Sequence, residues 1–208
     1  MYVKRKLTLW LEKIYLQWKG LDRIKLLPFI TNYIILPIFV LVCAGTSIIY
    51  DEGFYFSQYG NFFIPFMSVW WIIMVLQEYV EGTGSEVIRM YDRIKFPEII
   101  VYFLFYLISI LPLFVIADKC WHTNMEEIML MVTQCVFYLG IAYFMIFTFN
   151  SILGAVIPIL TYTLFSMSVI GDIIERFHIN DFRNSIGYVV VGSILIILGI
   201  IEKQRRQG

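Results

Sequence analysis

Charge is what this sequence has least of. Asp, Glu, Lys and Arg make up 15% of the residues, with 16 acids against 16 bases. A typical soluble domain carries about 25%, and a zero net charge offers no basic surface for nucleic acid. Histidine is nearly missing, with only His122 and His178, so a clustered His-and-carboxylate metal site is not expected. Three cysteines without CxxC spacing exclude a disulfide framework. Cys43 and Cys135 fall in apolar stretches as small core residues, and Cys120 is alone in a link. No GxxxxGK[ST] run is present to cradle phosphates, and no GxSxG elbow. Glu126 and Glu127 lack the following Arg of an intramembrane protease motif; Met131 stands at that place. No internal repeat occurs, and no link is long enough to hold a second domain.

What fills the space is apolar. Hydrophobic residues make up 60% of the chain and the mean hydropathy is +0.76. They gather into six blocks, at 29–50, 62–80, 97–117, 128–149, 152–171 and 186–201. A helix needs about 20 mostly apolar residues to cross a hydrocarbon core about 30 Å thick. The expected fold is therefore all-α: a polytopic membrane protein with six transmembrane helices. Residues 1–208 form one domain, with a cytoplasmic amphipathic helix at 1–28, the spans at 29–201 and a tail at 202–208. If the spans alternate, one side holds Lys4, Arg5, Lys6, Lys13, Lys19, Arg23, Lys25, Arg89, Arg93, Lys95, Lys203, Arg205 and Arg206. The other side holds only Lys119, Arg176 and Arg183. Positive charge marks the cytoplasmic side, so both termini are expected there. The first apolar block comes too late, and is too long, for a signal peptide.

Before the first block, Leu7, Trp10, Leu11, Ile14, Trp18 and Leu21 recur at helical spacing, and Lys6, Lys13 and Lys19 lie elsewhere on the wheel. Such a helix lies in the headgroup plane; it serves as an anchor or also touches a cytoplasmic partner. Within the blocks, Asn32 and Gln134 are the candidate pathway residues, because polar groups in lipid are costly. Gln134 either bonds another helix or faces a pathway. Pro37, Pro65, Pro112 and Pro158 allow kinks. Many of the aromatic residues are expected in interfacial belts, Trp70 and Trp71 among them. Only Asn150 and Ser151 separate the fourth and fifth blocks; the turn is feasible if Asn150 caps the next helix, and otherwise one block is re-entrant. Residues 172–183 read as a shallow helix at the outer leaflet.

The link at 77–97 reads QEYVEGTGSEVIRMYDRIKFP. Gly82 and Gly84 permit a tight reversal. Thr83 or Ser85 can cap a short helix, and Glu86 stands in capping-box spacing after Thr83. Val87, Ile88, Met90 and Tyr91 then form an apolar patch rimmed by Arg89, Asp92, Arg93 and Lys95. A protruding patch of this kind docks into a partner more often than it stays in water.

GTGSEVIRMYDRIKFPEIIVYFL resembles the segment between the second and third spans of type-2 ABC exporter permeases. The likeness extends to six spans, both ends inside, an amphipathic helix before the first span and a very short link between spans four and five. The chain departs from that pattern in lacking a proline before the basic residue, where Met90, Tyr91 and Asp92 stand, and in its small outer loops. The resemblance implies a permease subunit in a bacterial cytoplasmic membrane, paired with a second permease copy or paralogue. Glu81, Gly82, Thr83, Glu86, Val87, Ile88, Arg89, Met90, Tyr91 and Arg93 would form the coupling helix that seats a separate ATPase subunit. ATP and Mg would be bound by that subunit, and this chain would hold no cofactor, metal or catalytic site of its own. The cargo implied is an amphipathic peptide, drug or lipid-like molecule. The competing expectation is a small accessory or channel-like membrane protein without an ATPase partner.

Overall fold

The computed structural model describes residues 34–35, 37–39, 41–42, 60, 63–70, 73, 76–77, 80–81, 98–121, 124–166 and 184–207. The described residues are almost entirely helical, and none is in a strand. Four helices carry most of them: α1 (Glu98–Trp121), α2 (Met125–Phe149), α3 (Leu153–Ser166) and α4 (Ser185–Gln207). A helical stretch at 63–70 packs beside them. Two helices are long and apolar enough to cross a membrane, Met125–Phe149 and Ser185–Arg205, and Leu153–Thr163 is a shorter apolar helix. Most of the link at 77–97, the expected amphipathic helix at 1–28 and the expected shallow helix at 172–183 lie outside the described residues.

α2 is the central element. It starts at Asn124, whose extended backbone (φ −61°, ψ 135°) leaves its carbonyl to accept the N–H groups of Glu127 at 3.0 Å and Ile128 at 3.3 Å. Glu126 and Glu127 sit in its first turn, where the helix dipole favours acids. Successive faces of α2 then meet different neighbours. Ile128, Met131, Cys135 and Leu139 join Phe103, Tyr106, Ile110 and Phe114 of α1 and Ile64 and Met67 in one core cluster. Tyr138, Ala142 and Ile146 join Val69, Ile73 and Val80 with Ala155 and Ile159 of α3 in a second. Each set recurs every three or four residues, the spacing that keeps side chains on one helix face. Tyr106 donates its hydroxyl proton to the carbonyl of Ile64 at 2.7 Å, which ties α1 to the 63–70 stretch.

The face of α2 turned to α4 is built from absence of side chain. A Cβ on Gly140 would stand 2.5 Å from the carbonyl oxygen of Gly192, and one on Gly192 2.8 Å from that of Val136. The two backbones therefore touch, the small-residue packing by which helices approach closely in membranes. The rest of α4 is apolar and exposed, from Ile186 through Val190, Ile194 and Ile197 to Ile201. An apolar surface of that extent is rare on a protein bathed in water.

Contacts fix the helix directions. Val136 and Phe137 meet Gly192, and Tyr143 and Phe144 meet Gly199, so α2 and α4 run parallel. Tyr138 near the middle of α2 meets Thr163 near the end of α3, so those two run antiparallel. One end of the bundle consequently gathers the α2–α3 turn and the basic end of α4, where Lys203 lies 5.9 Å from the Phe147 ring and Arg205 pairs with Glu202 at 3.6 Å.

Candidate functional site

Two polar constellations stand out from this apolar frame. The first lies at the α2–α3 turn. Asn150 is the C-cap of α2 and takes a left-handed backbone, φ 52° and ψ 35°. That conformation suits an asparagine at a helix end. It is incompatible with the extended backbone of an N-cap, so the expectation that Asn150 caps the following helix is corrected. The N-cap of α3 is Ile152, whose carbonyl accepts the N–H groups of Ala155 at 2.9 Å and Val156 at 3.1 Å. Isoleucine has no capping side chain, and the third helical position, where a capping box places Glu or Gln, is Ala155.

Glu81 supplies the missing carboxylate from the other side of the turn. Its Oε1 accepts the backbone N–H of Ile152 at 2.9 Å and the hydroxyl of Ser151 at 3.1 Å. The Glu81 N–H in turn donates to the carbonyl of Gln77 at 2.8 Å, so the residue sits on the last helical turn before the link. An anion at the first turn of α3 also meets the positive end of the helix dipole. Of the residues expected to form a coupling helix, Glu81 alone is described, and it bonds to this turn. Gly82, Thr83, Glu86, Val87, Ile88, Arg89, Met90, Tyr91 and Arg93 lie outside the described residues, as do Trp10, Leu11, Ile14, Trp18 and Asn32.

The second constellation is inside the bundle, where α2, α3 and α4 meet. Tyr162 donates to the Tyr188 hydroxyl at 3.0 Å, and Tyr188 also hydrogen-bonds to Gln134. Thr163 gives its one proton to the Ile159 carbonyl at 2.7 Å, so Tyr138 is the donor in its 2.9 Å bond to Thr163 Oγ1. Phe137 closes the group, with its ring 5.3 Å from those of Tyr162 and Tyr188. Gln134 is fully buried. Its bond to Tyr188 reaches across to α4. The sequence reading passed over Tyr138, Tyr162, Thr163 and Tyr188. The available signal was four hydroxyl-bearing residues deep in apolar blocks, where each needs a partner.

A third feature is a cavity of about 350 Å³ between α1 and α2, lined by Leu107, Leu111, Phe114, Ile128 and Val132 with Asp118 at its margin. Its walls are apolar, and its size is at the small end of the ligand-pocket range of about 300–1,000 Å³.

Comparison with family models, with curated proteins and with solved structures finds no match for this chain.

Proposed function

We propose that this chain is the membrane-spanning permease subunit of an ABC exporter in a bacterial cytoplasmic membrane. In this reading six spans cross the bilayer with both termini cytoplasmic, and a separate ATPase subunit binds ATP and Mg. The observation that carries the proposal is the meeting of Glu81, the α2–α3 turn and the basic end of α4 at one end of the bundle. A coupling link that leaves Glu81 then emerges on the side where positive charge is concentrated. The short α2–α3 connection agrees with the brief link between spans four and five that the resemblance implies.

The packed interior adds a second point. α2 is enclosed by its neighbours, and Gln134 bonds to Tyr188 within the bundle. A translocation pathway is therefore better placed between two permease copies than through one, in line with a dimer. The apolar cavity beside α1 takes an apolar body, which agrees with amphipathic or lipid-like cargo.

The test is the double substitution Val87→Asp and Ile88→Asp. Burying those side chains in an ATPase groove would contribute about 25 cal/mol per Å², and two buried carboxylates would reverse that gain. The variant is expected to insert and fold normally, to lose the ATPase subunit on purification and to lose transport. A variant that keeps a bound ATPase and full transport would leave the link as a plain loop and remove the main support for the proposal.

A further inference from the structure

We propose that Glu81 is a latch that couples the helical turn at 77–81 to the start of α3. The two bonds that Ser151 and Ile152 make to one carboxylate oxygen join residues 70 and 71 positions apart. The bond to Ile152 supplies one half of a capping box, the carboxylate on the N-cap N–H, which the local sequence with Ala155 at the third helical position cannot provide. One carboxylate oxygen, Oε1, is thereby committed to the turn. Glu81 is also the last described residue before the link, held to the preceding helical turn through Gln77. A shift of the 77–81 turn reaches the backbone of Ile152 through a single side chain, and Ile152 starts α3. Through its far end α3 bonds Tyr138 on α2 and Tyr188 on α4, so a shift of its first turn is felt across three helices. The latch as a contact stands on the geometry alone; its coupling role rests on the permease reading above.

Hydrogen exchange on the full-length chain in lipid nanodiscs separates the two. In the isolated chain, Glu81→Ala should raise exchange over 152–156 about tenfold or more, the scale on which a charge-assisted bond is lost. Glu81→Gln keeps an acceptor oxygen and should rescue most of the protection. Ser151→Ala removes one of the two bonds and should fall between them. Unchanged exchange in Glu81→Ala and Ser151→Ala would overturn the latch.

In the complex with the ATPase subunit, ATP, Mg and vanadate should shift exchange in α3 for the wild type and for Glu81→Gln. The shift should be absent in the Glu81→Ala complex, with its ATPase content read by co-purification beside the wild type; loss of the ATPase from this variant would make Glu81 a partner contact and overturn the coupling role. A merely structural cap would weaken α3 without removing that response, so a response of wild-type size in Glu81→Ala overturns the coupling role. A wild-type chain that binds no ATPase would overturn the permease reading and the coupling role together, while the result on the isolated chain still reports the latch.

Discussion

Asn150 and Gln134 show how far a single side chain can be read before its neighbours are known. Asn150 was recognisable as a turn residue, but both ends of that turn are helices, and either could have claimed it. The left-handed backbone decides for α2. The asparagine-to-glycine substitution at 150 should be neutral or slightly stabilising, because glycine enters this region freely. Asn150→Val should cost about 1–2 kcal/mol, read as thermal unfolding in detergent. Gln134 was legible as an oddity inside lipid, but its partner was not, because Tyr188 is brought to it by packing between distant segments. Gln134→Leu should lower stability by about 0.6 kcal/mol and by no more than about 2. Transport should be kept. A large transport defect in a fully stable Gln134→Leu protein would support the pathway reading.

At the scale of elements, apolar runs located the helices but not their ends. The blocks at 97–117 and 186–201 became helices Glu98–Trp121 and Ser185–Gln207. Hydropathy marks where lipid begins and ends, whereas a helix continues into water while its residues favour it; Glu202, Lys203, Gln204 and Arg205 do. Composition did not single out the aromatics of the interior. Tyr106, Tyr138 and Tyr143 are fully buried between helices, and Tyr106 and Tyr138 exchange water for a partner on another helical segment. The backbone contact between α2 and α4 left its only trace in Gly140 and Gly192, which read as ordinary apolar-block residues until the helices were seen to touch. Gly192→Ala should push the helices apart, because its Cβ would meet main-chain oxygen that cannot rotate away. The expected loss is about 1–3 kcal/mol. Unchanged stability in this variant would show that the two backbones are not in contact.

For the whole molecule, α2 and α4 run parallel to each other and antiparallel to α3, while the sidedness rests on charge alone. Charge asymmetry was legible because it follows from sequence position alone; the partner was not, because a single sequence does not specify the surface that would meet Val87 and Ile88. In a chain whose native cysteines are replaced, cysteines introduced by Glu52→Cys and Asn180→Cys should react with an impermeant maleimide on intact cells. Gln204→Cys should react only after the membrane is opened, and outside labelling of that site would invert the topology. The central claim, an ATPase seated on the cytoplasmic link, is tested most directly by placing a photocrosslinking amino acid at Val87 in the native membrane and identifying the product by mass spectrometry. The account predicts one dominant adduct, to a subunit carrying a GxxxxGK[ST] phosphate-binding loop. Adducts confined to lipid or to a second copy of this chain would contradict it.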